Sequence, residues 1–149
     1  MSAMRARNVP TRLATGAYVL HSGWSKWRGT EDQARGVHGM AAGAYPFLQR
    51  VSPTTFLKAL AVAEMGLGAA LLAPFVPNRL AGASLTAFSG ALLTMYLRTP
   101  SLHEPGSVWP TSAGIGVSKD VWMLGIGVGL IADHERGRPE PSAFHEGRR

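Results

Sequence analysis

One carboxylate interrupts a long apolar stretch of this chain. The run "ALAVAEMGLGAALLAPF", residues 59–75, holds no polar side chain apart from Glu64. A carboxylate in hydrocarbon is costly unless it is paired, hydrated or protonated. If this run crosses a membrane, Glu64 therefore has polar partners or a chemical task.

Other ionisable residues lie at a depth that matches that of Glu64. At 1.5 Å per helical residue, Glu64 lies about 9 Å beyond Lys58, and His21 lies about 7 to 8 Å before Lys26. The third apolar run ends at the same side with Arg98, and the fourth run begins there with Lys119 and Asp120. We call these five residues the polar layer: His21, Glu64, Arg98, Lys119 and Asp120. Because unpaired burial of charge is unfavourable, we predict that Glu64 bonds to a basic member of the layer.

Two interpretations of Glu64 follow from its surroundings. In the first, Glu64 forms a structural ion pair that holds helices together. In the second, it faces a cavity, because small residues such as Ala61 and Gly68 leave volume beside it. His21 and Lys119 would then donate to a carbonyl or phenol oxygen of a ligand. The aromatic candidates for stacking on a ligand ring are Trp24 and Trp122.

The sequence lacks the residues that several other kinds of chemistry require. The chain has no cysteine, so it has no thiolate nucleophile and no disulfide. Its five histidines show no paired ligand spacing, so we predict no metal site. No glycine-rich phosphate loop and no serine–histidine–aspartate order is present, and we expect no intrinsic cofactor. The net charge is +6, but the arginines flank apolar runs, which favours a membrane surface over nucleic acid as the partner.

The elements that position the polar layer are apolar runs of helical length. Only 16% of the residues are charged, against roughly 25% in an average soluble domain. A helix needs about 20 residues to cross the hydrocarbon core. We therefore predict an all-α protein, an integral membrane four-helix bundle in residues 12–133. Its helices are expected at about 11–27, 54–75, 78–98 and 117–133, after a polar basic segment 1–11 and before a disordered basic tail 134–149.

The segments between the predicted helices differ in character. Prolines 74 and 77 predict a tight turn between the second and third helices. The loop 28–53 is amphipathic in part, and "GVHGMAAGAYPFLQR" is predicted to lie flat in the interface, with Tyr45 and Phe47 as anchors. The proline-containing loop 99–117 is predicted to be irregular. Small residues four apart, such as Gly125 and Gly129, favour close helix packing within one chain.

Arginines near both termini and at position 79 favour a cytoplasmic location for both ends. We therefore expect a multi-pass protein of the cell inner membrane.

The order of these parts resembles the DoxX-like family of small four-helix membrane proteins. The resemblance covers about residues 12–133. It is carried by "RLATGAYVLHSGWSKW", by Glu64 within "AVAEMGLGAALL", and by "SKDVWMLGIGVGL" at the start of the last helix. The family's name is tied to membrane subunits of sulfur-compound oxidation that pass electrons to quinone. The resemblance thus implies a quinone-linked or complex-associated role, and by position it singles out Glu64 and Lys119.

Two functions from different classes are compatible with these residues. The first is an accessory subunit of a redox or respiratory-type complex, which lines a quinone or lipid site through the polar layer and has a protein partner. The second is a small proton-linked carrier that acts alone. Four short helices leave little room for alternating access, which favours the first. Catalysis by this chain alone is the interpretation that the residues favour least.

Overall fold

The computed structural model describes residues 6–135, and regular structure in this range is helical. Short 3-10 turns lie at Ala6–Asn8, Pro46–Arg50 and Pro100–Leu102. The α-helices are α1 (Val9–Trp27), α2 (Glu31–Ala44), α3 (Pro53–Leu72), α4 (Asn78–Arg98), α5 (Ile115–Ser118) and α6 (Asp120–Glu135). The all-α prediction is confirmed for this range. The tail predicted at 134–149 lies, beyond Glu135, outside the described residues, as do residues 1–5.

Local sequence explains where the helices begin and end. Ser52 caps α3 by accepting a hydrogen bond from the Thr55 amide, and Pro53 occupies the first helical position, where no amide donor is needed. Thr30 caps α2 in the same way through the Gln33 amide. Helix α3 stops at Leu72, before Pro74, so that the predicted interval 54–75 is three residues too long at its end.

The long helices form two antiparallel pairs, α1 with α3 and α4 with α6. Close backbone approach explains both pairings. A Cβ atom built at Gly68 would lie only 2.6 Å from the Leu20 amide nitrogen on α1. A Cβ at Gly82 of α4 would lie 2.6 Å from the Gly127 carbonyl oxygen on α6. The close packing predicted from small residues is therefore made by other glycines, because a Cβ at Gly125 or Gly129 would meet no atom of another described element within 4 Å.

The segment between α1 and α3 is a packed helix and not the loop that the sequence predicts. Helix α2 lies against α3 and α4 and buries Ala34, Ala41 and Ala44. Glycines at positions 36, 39 and 43 hide this helix in the sequence, since glycine is a poor helix former. Tyr45 donates a hydrogen bond to the Ala91 carbonyl, whereas Phe47 is exposed.

Three helical stretches are long and apolar enough to cross a membrane: Pro53–Leu72, Asn78–Arg98 and Ile115–Asp133. The last one joins α5 and α6. Helix α1 has 19 residues, but it carries Arg12, His21 and Lys26 and is not among these stretches. Many large apolar side chains point away from the protein, for example Val62 and Trp122. An apolar outer surface on long helices is the pattern of a membrane protein.

The four long helices run between the same two ends of the molecule. The Asn8 side chain, before α1, donates a hydrogen bond of 2.6 Å to Asp133 near the end of α6, and Arg7 also pairs with Asp133. The α3–α4 turn lies at this end too, because Arg12 contacts it. We call this the terminal end and the opposite side the far end.

Candidate functional site

A partly buried ion pair joins α1 to α3 toward the far end. The Lys26 ammonium donates to Glu64 Oε2 at 2.9 Å and to the Ser22 hydroxyl at 2.7 Å. Glu64 is only 5% exposed, and the Lys26 side chain is 20% exposed. The predicted basic partner of Glu64 is therefore present, but it is Lys26 and not Lys119, Arg98 or His21. The long lysine side chain explains this difference, because it reaches back from the helix end into the interior.

The ion pair lines one side of a cavity of about 540 Å³. The cavity lies between the two helix pairs, with α2 as a further wall. Asp120, at the start of α6, faces the same cavity from the opposite pair, and it interacts electrostatically with both Glu64 and Lys26. Ser22 and Gln33 add neutral polar atoms at this end. The remaining wall is mostly apolar and includes Leu60, Phe88, Leu92 and three methionines, Met40, Met95 and Met123.

Within residues 6–135, no hydrogen bond or ion pair reaches the Asp120 carboxylate. The second oxygen of Glu64, Oε1, also accepts no hydrogen bond from these residues. A cavity with an apolar wall and a few convergent polar groups is the usual form of a small-molecule site. Ionisable groups inside a membrane-type helix arrangement point to the same conclusion.

The other members of the polar layer lie outside the cavity. His21 is exposed and lines a smaller groove beside Tyr18 and Ser25. Lys119 is exposed at the break between α5 and α6. Arg98 is exposed, donates to the Ala44 carbonyl at 3.3 Å and lies over the Tyr45 ring, so it anchors the end of α2. Equal depth along a helix axis did not place these side chains together, because depth does not specify the face of the helix.

The two tryptophans predicted to stack on a ligand point outward. Trp24 is 52% exposed and Trp122 is 69% exposed, and neither lines the cavity. Their positions suit contact with lipid, where tryptophan is enriched near the interface. Aromatic contact within the cavity comes instead from Tyr18 and Phe88.

A fully buried cation lies at the terminal end of α1. Arg12 is fully buried, and its guanidinium uses all five of its donors. The acceptors are the carbonyls of Ala70, Leu71, Ala73 and Val76 and the side-chain oxygen of Asn78, at 2.8 to 2.9 Å. These carbonyls include the unpaired ones at the end of α3, so Arg12 caps that helix. The sequence signals Arg12 only as a charge beside an apolar run.

No three histidine, aspartate or glutamate side chains of the described region are grouped to hold a metal ion. Comparison of the chain with protein-family models, curated proteins and solved structures found no match. The geometry of the cavity is therefore the basis for a functional proposal.

Proposed function

We propose that this chain is an integral membrane protein of four spans that serves as an accessory subunit of a redox or respiratory-type complex. In this proposal the cavity holds the polar head of a quinone or a lipid. The observation that carries it is the ion pair of Lys26 and Glu64 at the wall of a largely apolar cavity between two helix pairs. The resemblance to the DoxX-like family supports the proposed association with a redox complex.

Four spans follow from adding α1 to the three apolar stretches. Arg12 and Lys26 lie near opposite ends of α1, where one is neutralised by carbonyl dipoles and the other by Glu64. These contacts lower the free energy of placing the two charged side chains in lipid. The contact of Asn8 with Asp133 keeps the start of α1 and the end of α6 at the same side, as an even number of spans requires. Arginines near that side favour the cytoplasmic face of a cell inner membrane.

Single-cysteine labelling tests the topology. The chain contains no cysteine, so each introduced thiol is unique. Ser2→Cys and Ser142→Cys should react with an impermeant reagent from the same side, and Ser112→Cys, between α4 and α5, from the other. Labelling of the two terminal variants from opposite sides would contradict four spans.

A pull-down from native membranes in a mild detergent tests the role. We expect a redox complex and an amphipathic small molecule or lipid to co-purify with the wild-type chain. Glu64→Gln should reduce retention of the small molecule while the protein remains folded. Arg79→Gln, which changes an exposed charge at the terminal end, is the matched control. A chain that purifies without partner or ligand under these conditions would contradict the proposal.

Asp120, which has no hydrogen-bond partner among the described residues, favours a second candidate function, a proton-linked carrier. Two carboxylates and one lysine in a single cavity provide a place where a proton can be held. Purified protein in liposomes should then move a substrate in response to a pH gradient. Accessory function predicts no transport by the isolated protein, so the liposome experiment separates the two candidates.

A further inference from the structure

The polar end of the cavity contains more free acceptors than free donors. An ammonium group has three donors, and Lys26 commits two of them, to Glu64 and to Ser22. One ammonium proton remains for a ligand, together with the neutral donors of Ser22 and Gln33. Each carboxylate oxygen accepts through two lone pairs, and Glu64 Oε1 and both oxygens of Asp120 receive no hydrogen bond from the residues that the structure describes.

The formal charge of this end is also negative. Glu64 and Asp120 contribute two negative charges and Lys26 contributes one positive charge, so an ionised site carries a net charge of −1. Every other described residue that lines the cavity is uncharged, including Gln33 from α2 and Gly116 and Val117 from α5. Lys119 is next to Asp120 in sequence, but it is exposed and does not line the cavity.

The rest of the cavity wall suits an apolar body. Met40, Met95 and Met123 approach it from three different helices, and Phe88 and Leu92 complete that wall. Methionine side chains are flexible and polarizable, and they adapt to ligands of different shapes. An occupant would therefore have an apolar body and a polar head that donates hydrogen bonds.

We infer that the cavity selects an amphipathic amine, whose ammonium head lies between Asp120 and Glu64 Oε1. This inference rests on the proposed function, because it takes the cavity to be a ligand site and names the head group. A quinone head presents only carbonyl acceptors, which could accept from Lys26 and from the neutral donors of Ser22 and Gln33 but would leave the carboxylate oxygens without a donor. An ammonium head would donate to the carboxylate oxygens that accept no bond from residues 6–135, and its positive charge would balance the net charge of −1. The amine belongs either to a membrane lipid or to a soluble metabolite.

Three ligands of equal length test the head group. Phenylbutylamine, phenylbutanol and phenylbutyric acid differ only in the terminal group. Their binding to the full chain in phosphatidylcholine nanodiscs is measured by titration calorimetry, with empty nanodiscs subtracted. We expect the amine to bind at least about tenfold more tightly than the alcohol, a difference of about 1.4 kcal/mol. The acid should bind most weakly, because its charge has the same sign as that of the site. Hexadecylamine, incorporated in the nanodisc at a low fraction, is the lipid arm, and displacement of phenylbutylamine by it identifies a lipid as the source.

Asp120→Asn supplies the matched variant. It preserves shape and removes the charge, so the preference for the amine over the alcohol should fall to about threefold or less, while alcohol binding stays the same. Glu104→Gln removes an exposed carboxylate from the loop before α5 and should leave all three affinities unchanged.

The outcomes separate this inference from the proposed function. Equal binding of amine and alcohol, tighter binding of the acid, or an unchanged preference in Asp120→Asn would overturn the amine inference and leave the cavity as a ligand site. Absence of binding by all three probes and by hexadecylamine, together with no small molecule retained in the pull-down, would overturn both.

Discussion

Helix α1 carries an inward-facing cation near each end, fully buried at Arg12 and partly buried at Lys26, and the two cations have different surroundings. At the terminal end, the Arg12 guanidinium directs all five donors to protein oxygens, and the residue has no exposed surface. Toward the far end, Lys26 directs two donors to Ser22 and Glu64 and borders a cavity. Both residues are basic, and both connect α1 to α3.

The difference shows which feature of a buried charge indicates a binding site. Arg12 is the more buried of the two cations, yet all of its donors are used and it needs no ligand. Around Lys26, Glu64 Oε1 and the Asp120 carboxylate accept no hydrogen bond from residues 6–135, and both residues line open volume. Unused hydrogen-bonding capacity beside a cavity is therefore the stronger indication. The following substitutions, in order of decreasing effect on stability, test this contrast.

Replacement of Arg12 should have the largest effect. In Arg12→Ala, the five acceptors around the guanidinium lose their donor in a buried site, and we expect a loss of about 3 to 5 kcal/mol in the free energy of unfolding. The measurement is an SDS titration of the purified protein in detergent. Arg79→Ala, an exposed arginine at the same end, should change the value by less than about 0.5 kcal/mol. A loss below about 1 kcal/mol for Arg12→Ala would show that water replaces the guanidinium.

Removal of the Glu64 carboxylate should have the second-largest effect on stability. Glu64→Ala leaves the Lys26 ammonium without its charged partner and should cost about 3 kcal/mol by the same titration. Glu64→Gln should cost less, because the amide oxygen still accepts from Lys26. The double variant Lys26→Met with Glu64→Leu should recover most of the stability and still fail to retain ligand. If the double variant is as unstable as Glu64→Ala, the loss comes from packing and not from charge.

Two glycines of α3 provide a smaller and purely steric test. Gly68→Ala forces a Cβ against the backbone of Leu20, so α1 must shift, and we expect a loss of about 1 to 3 kcal/mol. Gly66, two residues earlier, has no neighbour at its Cβ position within 4 Å. Gly66→Ala should be neutral or stabilise by up to about 1 kcal/mol, since alanine favours the helix. Equal losses from both substitutions would contradict the pairing of α1 with α3.

Asp120→Asn should have the smallest effect on stability. The carboxylate has no hydrogen-bond partner in residues 6–135, so we expect a change within about 0.5 kcal/mol, measured as before. Ligand selection, in contrast, should change as described above. A loss of about 2 kcal/mol or more would reveal that Asp120 has a structural role.

The sequence predicts the helical class and the positions of the long helices well, because charge-free runs and prolines indicate them directly. It also indicates that Glu64 needs a polar partner, since a carboxylate in an apolar run is rare. It does not identify α2, whose glycines lower the helical signal, or the partner of Glu64. That partner depends on which face of α1 meets α3, and close glycine contacts such as that of Gly68 determine that face. Such contacts are tertiary, and no spacing within one helix reveals them.

The capping of α3 by Arg12 has a consequence for the biosynthesis of the protein. The acceptors of the guanidinium lie 58 to 66 residues later in the chain. If α1 enters the membrane as it is synthesised, Arg12 has no protein acceptor until α3 and its following turn have emerged. An arginine at that stage carries an insertion cost of up to about 3 kcal/mol and remains near the aqueous face. Truncated nascent chains that end before residue 70 should therefore hold α1 less firmly than chains that extend past residue 78.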